Sequence, residues 1–277
     1  NFSLRENAMI IIGEKINASI KSVGQAISDK NEDFLINLAK DQAEAGADFI
    51  DVNAGAGQDA RESAVKTIEW LIDIVQDAVE KPLCIDSDDQ TVLEAALARY
   101  RGKTVMINSV NAETEKLEAV GSLAAERQAS LVALVMKEGG IPRTVDERLQ
   151  AAEIIVNHLA KVGVREGQIY FDPLVLPISV DTTQALVTLR TIEEIKKRYP
   201  EAGTVMGLSN ISYGLPNRGI VNRSFMLMAA SAGLDAAILN PLDKKLMSLV
   251  RAADMLTNKD PFCRGFIRAH RKGLISS

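Results

Sequence analysis

Short apolar runs of strand length recur along the chain, and each is followed by a longer stretch in which apolar residues return every three or four positions. Eight such runs stand out, at 9–13, 49–53, 83–86, 104–108, 131–136, 169–172, 204–208 and 236–239. They are almost continuously apolar and rich in β-branched side chains, the pattern of parallel strands covered on both faces. The periodic stretches predict helices over 32–45, 61–79, 91–100, 115–129, 145–162, 183–199, 222–232 and 242–256. In the second of these, Val65, Ile68, Leu71, Ile72 and Val75 form one stripe with charges on the opposite face. Gly46, Gly102, Gly163 and Gly233 follow helix ends, where a left-handed cap favours a residue without a Cβ.

Eight alternating units imply a parallel sheet with right-handed crossovers, either closed or open. An open dinucleotide-binding sheet carries G-x-G-x-x-G after its first strand, and this chain does not. The prediction is therefore an α/β fold, a (β/α)8 TIM barrel in one domain over residues 1–277, with 260–277 as a C-terminal tail. The length, 277 residues, suits such a barrel. So does a composition that is 47% hydrophobic but only 4% aromatic, because layers of branched aliphatic side chains fill a barrel interior.

A net charge of -5 gives no basic excess to neutralise a phosphate backbone, so nucleic acid is not an expected partner. Cys84 and Cys263 are too few and too far apart for a disulfide framework or a cysteine zinc site. His158 and His270 stand alone, one in a helical pattern and one near the terminus, so no metal bound by this chain is expected. No signal-peptide pattern opens the sequence and no run of about 18 apolar residues occurs, so the expectation is a cytoplasmic protein with no membrane span.

Polar residues follow each apolar run: Glu14, Asp51 with Asn53, Asp86 with Ser87, Asn108 with Ser109, Lys137 with Glu138, Asp172, Ser209 with Asn210, and Asn240. In a closed barrel these converge on the C-terminal mouth, where the active sites of this architecture lie. Any one of them serves equally well as a helix cap or turn residue. Capping does not explain why the segments Cys84-Ile85-Asp86-Ser87, Met106-Ile107-Asn108-Ser109, Phe171-Asp172-Pro173 and Gly207-Leu208-Ser209-Asn210 all carry an acid or amide at one depth, whereas a ligand with several hydrogen bonds does.

These segments, with Ile12-Gly13-Glu14-Lys15-Ile16-Asn17, Asp51-Val52-Asn53 and the stretch from Ser224 to Ala237, resemble the pterin-binding methyltransferases that couple methyltetrahydrofolate to corrinoid proteins. The resemblance runs in order over about 10–260. It implies that the protein is a methyltransferase acting between N5 of tetrahydrofolate and the cobalt of a corrinoid (cobalamin), in either direction. By the same resemblance, Asp86, Asn108 and Asp172 anchor the pterin and Asn210 stands beside N5 as the catalytic side chain. Gly207 admits the ring close to the backbone. Arg218 reaches the pterin carbonyl or the corrinoid side, while Glu14, Asn17 and Ser109 support the mouth. The chain has no Asp-x-His-x-x-Gly segment, so the corrinoid is expected on a partner protein. A homodimer is also implied.

Two alternatives stay open at this level, since a fold does not fix a reaction. A dihydropteroate synthase-like condensation would use the same pterin pocket and needs cations for a diphosphate leaving group. Arg268-Ala269-His270 superficially resembles such a group, but it follows all eight runs, and no lysine follows Ser209-Asn210. The other alternative is a folate-binding barrel without catalysis.

Overall fold

The structure, a computed structural model, describes residues 8–55 and 61–276. Eight parallel strands pair in chain order and the last closes on the first. They are β1 (Ile10–Asn17), β2 (Phe49–Asn53), β3 (Leu83–Asp86), β4 (Val105–Val110), β5 (Ser130–Leu134), β6 (Ile169–Asp172), β7 (Gly203–Gly207) and β8 (Ala236–Leu239). The helices are α1 (Lys21–Ser28), α2 (Glu32–Ala45), α3 (Arg61–Ala78), α4 (Gln90–Arg99), α5 (Thr114–Arg127), α6 (Val145–Lys161), α7 (Gln184–Arg198), α8 (Arg218–Ala232), α9 (Lys244–Leu256) and α10 (Arg264–Arg271). The predicted (β/α)8 barrel is the fold observed.

Strand alternation divides the core into two layers. One residue set, Ile12, Phe49, Cys84, Met106, Val132, Val205 and Ala236, points inward and plugs the barrel. The alternate residues, such as Ile50, Leu83, Ile85, Ile107 and Leu131, face outward beneath the helices and are fully buried there. A plug of aliphatic and small side chains explains the scarcity of rings, and it gives the mouth above it a dry floor.

Several boundaries differ from the sequence reading. β1 runs on to Asn17, so Glu14 and Asn17 belong to the strand and do not follow it. β5 stops at Leu134, which leaves Lys137 bonded to Gln150 and bridged to Gly140, with Glu138 exposed and neither among the residues lining the mouth cavity. α8 starts at Arg218, one turn before the predicted residue 222. Gly46, Gly163 and Gly233 adopt the positive φ expected of them. Gly102 does not; a Cβ there would collide with the Tyr100 ring, so its lack of a side chain serves packing. Within 260–277 the chain forms α10 and then bonds back to α9 through Ser276 N–H and Ser248 Oγ at 2.7 Å.

The N-terminal ends of β7 and β8 are tied to α7 through Asp235. Its Oδ2 accepts from Lys196 Nζ at 2.9 Å and from Thr204 N–H at 2.9 Å. Asp235→Ala leaves Thr204 N–H without this acceptor and Lys196 Nζ with Ala202 O, and is expected to lower unfolding free energy by about 1–3 kcal/mol. Denaturant titration checks this, and because the mouth lies at the other barrel end, turnover at 25 °C should be unchanged.

Candidate active site

One step above the plug, the same alternation that points Ile12, Phe49, Cys84, Met106 and Val205 inward aims Glu14, Asp51, Asp86, Asn108 and Gly207 into the mouth, and Asp172 holds the corresponding position two residues beyond Tyr170 on β6. The register agrees, since Asp86 lies opposite Asn108 and Asp51 opposite Cys84. Polar side chains here are therefore a continuation of the strand pattern, displaced beyond the apolar filling. Above them opens a cavity of about 680 Å³. Glu14, Asn17, Asp86, Asn108, Gly207, Asn210 and Arg218 line it, as do Asp51, Lys15, Asn222, Asn240 and Asp243. Ser109 and Asp172 are not among its lining residues.

Glu14 and its neighbour Lys15 both line the cavity because β1 is irregular there. The pairing with β2 shifts between Gly13 and Ile16, and such a bulge turns adjacent side chains to one side. Gln42 holds the shift from behind, accepting from Lys15 N–H at 2.9 Å through Oε1. Glycine at position 13 leaves that oxygen its place, since an added Cβ would stand 2.5 Å from it and the Gln42 amide would have to shift.

On the β2–β4 side, Asn53 Nδ2 donates to Asp86 Oδ2 at 2.8 Å, and Asn53 Oδ1 accepts from Gly55 N–H at 2.7 Å. The amide is thereby oriented, and Asp86 lines the cavity beside it. Asn108 is 9% exposed and Asp51 is 2% exposed. Burial raises the carboxyl of Asp51 well above the usual range, and the charge of Asp86 raises it further. Burial also raises Asp86 and Glu14.

On the opposite side, a 3-10 turn (Leu208–Ser212) after β7 carries Asn210. Ser209 Oγ donates to the Glu14 carboxylate at 3.1 Å. Arg218 braces the same turn, donating from Nε to Ser212 Oγ at 2.9 Å and from Nη2 to Ser209 O at 2.6 Å. Two of its donors are thus used for holding the turn, and among the described residues it forms no ion pair with a carboxylate. Asn210 itself is exposed in the cavity. Its Nδ2 lies 3.3 Å from where a Cβ of residue 207 would stand, so Gly207 leaves room for that amide.

Asp172 ends β6. Its Oδ1 accepts from Leu174 N–H at 2.8 Å, and burial lifts its carboxyl to about 6 against the opposing influences of that bond and of Arg148. Sequence reasoning also missed Lys15, Asn222 and Asp243 as lining residues. Asn222 has a signal in retrospect, since it stands four residues after Arg218 on α8 and so shares its face.

Two buried side-chain oxygens lining this cavity, Asp51 Oδ1 and Asn222 Oδ1, have no hydrogen-bond partner among the described residues. Buried polar atoms are rarely left so, and both are acceptors, which fits a ligand that brings N–H or O–H donors. Among the described residues no group of three or more His, Cys, Asp or Glu is arranged to hold a metal ion. Arg268 and His270 sit on α10, which packs beside Ala8 and Asp254 at the N-terminal end of the barrel, remote from the mouth. They cannot serve a diphosphate bound among the strand ends.

A family model described as pterin binding enzyme matches residues 13–240. The chain is 38% identical over 269 residues to the methylcorrinoid:tetrahydrofolate methyltransferase of Eubacterium limosum, covering 96% of this chain and 98% of that protein. It is 31% identical over 250 residues to the methionine synthase of Mycobacterium tuberculosis, where the match covers 85% of this chain but 21% of that larger protein. Among solved structures, 7,8-dihydropteroate synthase from Vibrio fischeri ES114 superposes with a TM-score of 0.71 at 15% identity, over 92% of this chain and 95% of that one, a likeness of fold. Because the family match begins at the β1 bulge and ends at Asn240, taking in every strand end that builds the mouth, the chain belongs to the pterin-binding enzymes.

Proposed function

We propose that this protein is a methyltransferase that moves a methyl group between N5 of tetrahydrofolate and the cobalt of a corrinoid carried by a separate protein. The observation that carries the reading is the near-full-length likeness to a methylcorrinoid:tetrahydrofolate methyltransferase. The acceptor-rich mouth is consistent with it, because a tetrahydropterin presents a row of N–H donors.

In this reading Asp172 accepts from N3–H and the exocyclic amine in a paired geometry, while Asp86 and Asn108 serve the N1 and N8 side. Each unmade bond would leave a buried group unsatisfied, at about 1–3 kcal/mol. Asn210 stands at N5. When the methyl leaves N5, the electron pair of the N–CH₃ bond returns to nitrogen, and an amide anion is a poor leaving group. The nitrogen therefore needs a proton or a strong donor as that bond breaks, and a contact that strengthens at this moment is what accelerates the step. The Asn210 amide supplies it, accepting from protonated N5 or donating as charge develops, with the proton itself drawn from solvent through the mouth. In the reverse direction the N5 lone pair attacks the methyl group, and the same amide stabilises the same transition state. The corrinoid is a co-substrate delivered by the partner. Ser109 and Asn17 support the rim.

A homodimer in the cytoplasm completes the proposal. Cys84 and Cys263 are both free thiols, and among the described residues no helix is long and apolar enough to cross a membrane.

The test mixes the protein with methylcobalamin and tetrahydrofolate, and separately with methyltetrahydrofolate and Co(I) cobalamin, following cobalt absorbance, with a corrinoid protein as a parallel methyl carrier. Methyl exchange in any mixture is the expected result. No change with free cobalamin or with the carrier protein overturns the assignment.

A further inference from the structure

Arg148 is wholly buried, at 0% exposure, on the first turns of α6. A buried guanidinium is costly unless its charge and donors are answered, and neutral apolar residues often replace one without loss. Its partners here are all neutral. Nε donates to Pro142 O at 3.2 Å, Nη1 to Pro173 O at 2.7 Å and to Thr188 Oγ1 at 3.3 Å, and Nη2 to Gln184 Oε1 at 2.8 Å. Among the described residues no carboxylate forms an ion pair with it. Packing alone does not account for a cation at this place.

The contacts converge on one turn. Pro173 O is held directly, and Thr188 Oγ1 in turn donates to Leu174 O at 3.1 Å. Leu174 is buried with φ of 66°, a left-handed conformation that a leucine adopts only when its surroundings enforce it. From that conformation its N–H reaches Asp172 Oδ1 at 2.8 Å. Arg148 thus fastens the Asp172-Pro173-Leu174 turn from behind, and its charge acts on Asp172 across the remaining gap.

We propose that Arg148 is a positioning residue for pterin recognition, holding the strained turn that aims the Asp172 carboxylate and standing as the counter-charge behind it. The proposal rests on the reading of Asp172 as a pterin anchor. Other charged groups on the surrounding elements are already engaged. Glu147 on α6 accepts from Arg143 and Thr144 N–H, Lys137 beyond β5 bonds Gln150, and Asp181 before α7 bonds Thr183 and Gln184. Arg143 faces Asp181. Of all these, only Arg148 opposes the burial that raises Asp172.

The test measures tetrahydrofolate affinity of the full-length protein from pH 5 to 8 by calorimetry, for the parent, Arg148→Gln, Arg148→Lys and Asp172→Asn. Arg148→Gln is expected to bind roughly 10-fold more weakly at pH 7 and to shift the acid midpoint of binding upward by about 1 unit. Arg148→Lys should keep the midpoint while losing part of the affinity, since it retains the charge but not the fork of donors. An unmoved midpoint in Arg148→Gln, with only a lower melting temperature, reduces Arg148 to a stability role and overturns the proposal. Should that variant fail to fold, Thr188→Val breaks the same relay at Leu174, and unchanged folate affinity there has the same meaning. If Asp172→Asn binds as tightly as the parent, the anchor role of Asp172 fails first. If it binds weakly while both Arg148 variants behave as the parent, only the role given to Arg148 fails.

Discussion

Asn210→Ala is expected to retain tetrahydrofolate and lose methyl transfer, with kcat down about 10²–10³-fold, the usual cost of removing one transition-state donor. Folate affinity should change by less than about 10-fold, because a neutral hydrogen bond at an exposed site contributes about 1 kcal/mol. The asymmetry follows from where the side chain sits. Asn210 is exposed in the cavity and has no side-chain hydrogen bond among the described residues, whereas the buried Asp51 and Asn108 and the half-buried Asp86 form the opposite wall. A ligand loses few ground-state contacts when this amide is truncated, but N5 loses its neighbour as the bond to carbon breaks. Stopped-flow cobalt absorbance gives the rate, and equilibrium titration gives the affinity. A large fall in affinity with kcat preserved would remove Asn210 from the chemical step and make it a binding residue.

Much of this site was legible in the sequence because one rule builds both core and mouth. Inward residues alternate along every strand, so apolar runs that end in an acid or amide place that group above the plug. The rule breaks at β1. Glu14 and Lys15 interrupt the apolar run, so a reading by hydrophobicity ends the strand at Gly13, whereas the backbone continues to Asn17 through a shift in register. A bulge costs one residue of pairing and leaves no periodic trace, which is why Lys15 went unseen in the cavity. β5 shows the converse. The apolar residues Val135 and Met136 extend the run, but the strand stops at Leu134 and takes Lys137 and Glu138 out of the ring. Contributions from helices were harder still. Asn222, Asp243 and Arg148 act from α8, from the turn before α9 and from α6, and their relation to strand ends depends on tertiary packing that local periodicity does not encode.

Tetrahydrofolate affinity is expected to be full above about pH 6 and to fall as the pH drops through that value, with Asp172→Asn showing the low-pH affinity at every pH. The carboxyl of Asp172 is raised from 3.8 to about 6, chiefly by burial. Above that value both oxygens accept, which suits two adjacent N–H donors. Below it one oxygen carries a proton and confronts a ligand donor, and in Asp172→Asn an NH₂ group does so permanently. Charge-assisted bonds contribute about 1.5–3 kcal/mol each, so losing one of the pair weakens binding roughly 10- to 100-fold. Glu14, Asp51 and Asp86 are also raised, and the mutant separates them. If Asp172→Asn keeps the parent's acid limb near pH 6, one of those groups is the titrating anchor and the assignment to Asp172 is wrong. Acid unfolding has the opposite sign for this residue. A carboxyl whose folded value lies above its unfolded value binds its proton more tightly in the folded state, so protonation between about pH 6 and 4 favours the ligand-free fold. Binding therefore weakens over a range in which Asp172 itself stabilises the empty barrel, and melting curves of the ligand-free protein alongside the titrations tell the two effects apart.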